Sequence, residues 1–136
     1  MPETRFIHLR LHSEYSITDG MVRLDVGKNH DCPPVLRAIE YGMPALALTD
    51  LSNLFGMVKF YTAARSRGIK PVIGADVWIA NDKDMDRPYR ALLLCRSHQG
   101  YLQLCELLSR ACLAPRTRGR SEITRQMLRE VGVSGL

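Results

Sequence analysis

Three apolar runs of strand length each lead to a residue that binds metals or carries charge, and that recurrence constrains the fold of this chain more than anything else in it. Residues 6–12 (FIHLRLH) alternate, with Ile7, Leu9 and Leu11 on one face and His8, Arg10 and His12 on the other. Residues 45–49 (ALALT) run into Asp50, and residues 71–75 (PVIGA) run into Asp76. A fourth run, residues 89–95 (YRALLLC), has the same length and apolar character.

Helical spacing fills the intervals. Pro33 and Pro34 can open a helix carrying Val35, Leu36 and Ile39 as its apolar stripe, with Gly42 placed to stop it in a left-handed cap. A second helix is expected over residues 57–67, with Val58, Tyr61 and Ala64 inward and Gly68 closing it. Ser97 can cap a third running to residue 113, and a fourth is expected near residues 122–131. Residues 21–32 show no clear period.

Strands alternating with helices predict an α/β fold whose strands are mainly parallel and joined by right-handed crossovers. In such sheets ligands gather beyond the C-terminal ends of the strands, where His12, Asp50 and Asp76 would stand together. For Asp50 a second reading stays open, because aspartate is also a good helix N-cap.

Residues 1–136 read as one domain, incomplete at its end, with a loop at 114–121 joining the last helix. No apolar stretch approaches the roughly 20 residues that cross a bilayer, so no membrane partner is expected. Cys32, Cys95, Cys105 and Cys112 show no CxxC spacing, which argues against a zinc ribbon or redox pair and for reduced, cytoplasmic thiols. Cys105 and Cys112, seven apart beside Leu104, Leu108 and Ala111, read as packing residues. The formal net charge of +5 is concentrated toward the end of the chain. Arg116, Arg118, Arg120, Arg125 and Arg129 are candidate nucleic-acid contacts or a solvated basic face, with no base-stacking platform evident beside them.

The stretches HLRLHSEYSITDG, ALALTDLSNLFGMVKFY, KPVIGADVWI and YRALLLCRSHQGYLQL, in that order and at these separations, resemble the PHP domains fused to bacterial replicative DNA polymerases. The resemblance implies part of a distorted (β/α) barrel of the metal-dependent phosphoesterase type, truncated after about its first half. It also implies that VGVSGL at the end begins the next strand.

The family's metal ligands carry over only in part. His12 matches the second histidine of the first motif, and Asp19 matches an acidic ligand. Arg10 stands where the first histidine would be, Leu51 where the histidine of the second motif would be, Asp76 in place of a glutamate, and Arg90 in place of a further histidine. A guanidinium has no lone pair for a metal and stays protonated. The resemblance therefore implies no catalytic residue and no metal in this segment, with Arg10, His12, Asp19, Asp50, Leu51, Asp76 and Arg90 as vestigial positions.

Magnesium is expected for the parent polymerase, in regions outside these residues. The implied role is a scaffold that docks the proofreading exonuclease subunit and the remainder of the polymerase, with DNA as a further candidate partner. The competing reading is a phosphoesterase or 3′-5′ exonuclease site. If the scaffold reading holds, Leu51 should be well buried, and Arg10 and Arg90 should lie within reach of Asp19, Asp50 or Asp76.

Overall fold

Capping chemistry sets most of the element boundaries in a computed structural model that describes residues 6–115 and 119–136. Helix α1 (Pro33–Glu40) has proline in its first turn, and Gly42 follows it at φ +65°. Helix α2 (Met57–Ser66) is followed by Gly68 at φ +77°; a left-handed φ costs glycine nothing extra. The Ser97 hydroxyl accepts from the Gly100 amide at 3.1 Å to start α3 (His98–Leu113), and Thr124 caps α4 (Arg125–Val131) through the Met127 amide at 3.2 Å.

The strands are β1 (Ala45–Leu48), β2 (Lys70–Ile79), β3 (Tyr89–Leu94) and β4 (Glu122–Ile123). β1 runs parallel to β2 from Ala45↔Lys70 to Leu48↔Ile73, and an isolated bridge, Leu51↔Asp76, keeps the same register beyond it. β3 pairs antiparallel with β2 from Gly74↔Leu94 to Ile79↔Tyr89. β4 pairs parallel with Trp78 and Ile79, on the edge of β2 that β3 leaves open. The sheet is therefore mixed, which corrects the expectation of mainly parallel strands. Segment 80–88 has no helix and is shorter than the dozen or so residues a parallel return needs, so β2 and β3 form a hairpin.

Residues 6–12 lie along the other edge of β1 but are not a regular strand. The Ala47 amide donates to the His8 carbonyl at 3.0 Å, and the Thr49 amide to the Leu11 carbonyl at 2.8 Å. Three steps on one side thus match two on the other, which is a bulge. It puts His8 beside Leu11, Ala38 and Leu46, whereas Arg10 and His12 reach Asp76, so the strict alternation expected for this segment does not hold.

Helices α1 to α4 cover one face of the sheet. Leu46, Leu48 and Ile73 pack with Leu24, Cys32, Val35, Phe60 and Ala64. Ala75, Val77 and Ile79 pack with Leu104, Leu107, Ala111 and Ile123. Helix α2 turns Phe60 and Ala64 inward, and Val58 and Tyr61, expected inside, are exposed. Residues 21–32 form no helix or named strand, yet supply Leu24 and Cys32 to the core.

The final residues correct another expectation. VGVSGL is the last residue of α4 followed by a turn, and not a strand. The Gly135 amide donates to buried Gln103 Oε1 at 3.0 Å, and its carbonyl accepts from the Arg96 amide at 2.9 Å. A Cβ on Gly100 would sit 1.8 Å from the Gly135 carbonyl oxygen, so the approach requires glycine there.

Candidate functional site

The face of the sheet away from the helices carries Asp76, Trp78, Arg90 and Leu92, since alternate residues of β2 and their partners on β3 share a side. Asp76 is 1% exposed and is the centre of the site. Arg10 donates to its Oδ2 through Nε at 2.9 Å and Nη2 at 2.5 Å. Arg90 donates through Nε to Oδ1 at 3.1 Å and through Nη2 to Oδ2 at 2.8 Å. His12 Nε2 lies 2.9 Å from the same Oδ2, and its Nδ1 faces the Asp19 carbonyl oxygen at 3.2 Å. Arg90 Nη2 also reaches Asp19 Oδ2 at 3.3 Å.

Burial pushes the Asp76 carboxyl upward, but the hydrogen bonds from Arg90 and Arg10, with the Arg90 charge and His12, outweigh it and hold the group below its ordinary range. The Arg90 guanidinium is raised by its hydrogen bond to Asp76 and the charges of Asp76 and Asp19, against a smaller effect of burial. Arg90 stacks on the indole of Trp78, its cross-strand neighbour, with Cζ 4.3 Å from the ring centroid. Arg120 approaches the same ring at 5.6 Å and pairs with Glu122 at 3.3 Å.

Asp50 and Leu51 adjoin this cluster through the backbone alone, the Asp76 amide donating to the Asp50 carbonyl at 3.1 Å and Leu51 being the bridge partner of Asp76. The Asp50 carboxylate, 1% exposed, accepts from the Ser13 amide at 2.6 Å, from the Ser13 hydroxyl and from the Ser16 hydroxyl at 2.7 Å. It caps no helix; it fastens the turn that follows His12. Leu51 is only partly buried and belongs to neither core cluster, contrary to the burial expected of it.

Arg116 and Arg118 lie outside the described residues. Arg125 and Arg129 are exposed on α4, whereas Arg120 is engaged by Trp78 and Glu122. The role of Trp78 was missed by the reading of the sequence: it meets one of the candidate arginines from a position 42 residues earlier (120 − 78). Ser13 and Ser16 were missed as well, and neither carried a periodic signal.

A divalent cation does not fit this arrangement. Among the described residues no group of three or more His, Cys, Asp or Glu is placed to hold a metal ion. Both Asp76 oxygens are occupied by guanidinium donors, which leave few lone pairs and add two permanent positive charges.

The PHP domain profile matches residues 8–136, and the chain belongs to the PHP domain family. It is similar to the DNA polymerase III subunit alpha of Neisseria meningitidis, 52% identical over 82% of this chain and 9% of the relative. It is likewise similar to those of Pseudomonas fluorescens (44% identical, 92% of this chain, 10% of the relative) and Escherichia coli (43%, 82% and 9%). The chain thus spans about a tenth of the length of these relatives.

Among solved structures, a protein of Bifidobacterium adolescentis assigned as a metal-dependent phosphoesterase matches with a TM-score of 0.56 at 17% identity, over 82% of this chain and 34% of that one. An amidohydrolase from Chromobacterium violaceum, solved with bound sulfate and no metal, matches at 0.52 and 22% identity, over 77% and 32%. Both likenesses concern the fold.

Proposed function

We propose that this chain is the PHP segment of a bacterial replicative polymerase alpha subunit, cytoplasmic, and that it serves there as a non-catalytic scaffold on which the proofreading exonuclease subunit docks. Its mixed sheet would form part of a distorted (β/α) barrel. The polymerase chemistry, with its magnesium, would belong to other parts of the parent protein. The similarity to alpha subunits supports the parent. The observation that supports the scaffold reading is the Asp76 cluster, in which Arg10, His12 and Arg90 surround a buried carboxylate with hydrogen-bond partners.

Copurification of the full alpha subunit with the exonuclease subunit tests docking, and elemental analysis of protein purified without added metal tests the site. A stable complex and no stoichiometric metal are expected. Bound manganese, iron or zinc that is lost in His12→Ala, together with hydrolysis of a phosphodiester substrate, would favour a phosphoesterase instead.

A further inference from the structure

Helix α2 has no carboxylate of its own. Residues 56–70 contain Lys59, Arg65, Arg67 and Lys70 and no aspartate or glutamate. Lys59, Thr62, Ala63, Ser66 and Arg67 recur at helical spacing and share one face of α2 and its C-terminal end. The acids paired with that face come from a different segment. Asp25 lies 3.7 Å from Lys59 Nζ, and Asp31 accepts from Arg67 Nη2 at 2.7 Å.

Residues 25–31 form an excursion between two core anchors. Leu24 and Cys32 are 2% and 0% exposed, whereas every residue between them is half-buried or exposed. Within the excursion Val26 and Asp31 exchange amide hydrogen bonds at 2.9 and 3.0 Å, and His30 Nδ1 lies 2.8 Å from Asp25 Oδ1. These contacts shape a hairpin without fastening it to α2. The two ion pairs do that, and each of their side chains is at least 30% exposed. Pairs of this kind hold weakly in water and are screened by salt. Between the hairpin and α2 lies a cavity of about 440 Å³, lined by Asn29, His30, Val58, Thr62 and Ser66. Among the described residues the Asn29 amide and the Thr62 hydroxyl have no hydrogen-bond partner, so neutral donors stand beside the two cations.

We infer that residues 25–31 are an acidic strap, closed on α2 by Asp25 and Asp31, which single-stranded DNA opens by taking Lys59 and Arg67 with its phosphates. The closed strap is autoinhibitory, because its carboxylates stand on the cations that backbone phosphates would use. DNA competes well for such cations because their binding releases its condensed counterions. Thr62 and Asn29 are of the types that donate to phosphate oxygens. The choice of DNA rests on the reading of the chain as part of a replicative polymerase; the strap does not.

The test uses the full alpha subunit carrying these residues. Hydrogen–deuterium exchange over residues 25–32 and alkylation of Cys32 by N-ethylmaleimide, both resolved by peptide mass spectrometry, report opening. Oligothymidylate should speed both, and sodium chloride at equal ionic strength should do so less. Asp25→Asn/Asp31→Asn should open the strap without DNA, several-fold in both readouts, as the loss of two exposed ion pairs allows. Lys59→Gln/Arg67→Gln should open it equally and abolish the response to DNA. Melting curves and exchange over β2 establish that each variant is folded. Wild-type exchange in Asp25→Asn/Asp31→Asn would overturn the strap. A response to oligothymidylate no greater than that to salt, or one that Lys59→Gln/Arg67→Gln retains, would overturn DNA as the opening ligand and the inference with it. Either failure leaves the scaffold reading intact, since copurification with the exonuclease subunit decides that separately.

Discussion

Arg90 grips Asp76 side-on, one nitrogen on each carboxylate oxygen at 3.1 and 2.8 Å, while its guanidinium plane rests 4.3 Å from the centroid of Trp78. The fork is held on three sides, by Asp76, Asp19 and the indole, whereas Arg10 reaches the same carboxylate with its side chain 57% exposed. Two arginines on one acid are thus unequal partners.

Removing each in turn should show the difference. Arg90→Ala is expected to cost about 1.5–3 kcal/mol, the range for a hydrogen bond to a charged group, and Arg10→Ala less, about 1 kcal/mol, because its own side chain is largely solvated and Arg90 still satisfies the buried acid. Urea denaturation of the two single variants measures the order; equal losses would contradict it.

Asp76 also predicts a pH dependence. Its carboxyl ionises below its ordinary value of 3.8 in the folded chain. A depressed carboxyl contributes stability that is present above the unfolded value and disappears as pH falls through the folded one. Stability of the wild type should therefore drop as pH falls below about 4, and Asp76→Asn should flatten that part of the curve while lowering stability at neutral pH. A parallel loss in both proteins would assign the acid sensitivity elsewhere.

Much of this was legible in the sequence, for identifiable reasons. The apolar runs at ALALT, PVIGA and YRALLL became strands because each is too short for a buried helix, although the strand at PVIGA runs on through Asp76, expected at its end, to Ile79. Helix starts at Pro33 and Ser97 and the left-handed Gly42 followed from local backbone chemistry. The direction of β3 was also encoded, in the short segment 80–88, but the alternation of strands and helices obscured it. Within the site, the convergence of Arg10, His12, Asp19, Asp76 and Arg90 was readable by motif. The fastening of Asp50 by Ser13 and Ser16 and the contact of Arg120 with Trp78 were not, because they depend on distances between segments that no local pattern sets.

Chelation offers a direct check on the site. If guanidinium groups satisfy Asp76, EDTA should leave the Tm unchanged, and added manganese should not raise it, since a ligand stabilises only by binding the folded state. A Tm that falls with EDTA and recovers with manganese would show that a cation belongs there.

Gly100 provides a test of packing at the other end of the molecule. Gly100→Ala drives a methyl group into the Gly135 carbonyl and should cost about 1–3 kcal/mol, typical of overpacking, or release the terminal turn. Gly119→Ala, whose Cβ would meet nothing within 4 Å, should cost about 1–2 kcal/mol through its φ of +76° alone. Denaturation curves for the pair distinguish collision from backbone strain.

The bulge beside β1 makes the N-terminal segment sensitive to length in a way that point substitutions cannot show. His8 and Leu11 bond to Ala47 and Thr49, so three residues advance while β1 advances two, and Leu9 is the surplus member, 44% exposed. A chain lacking Leu9 would be back in step: His8 and Leu11 would still face the helices, and Arg10 and His12 would still face Asp76. Loss of Leu11 instead would shift His12 by one position and turn its ring away from the carboxylate. Two deletions of the same residue type, two positions apart, thus have opposite consequences, one silent in phase and the other a frameshift of the fold.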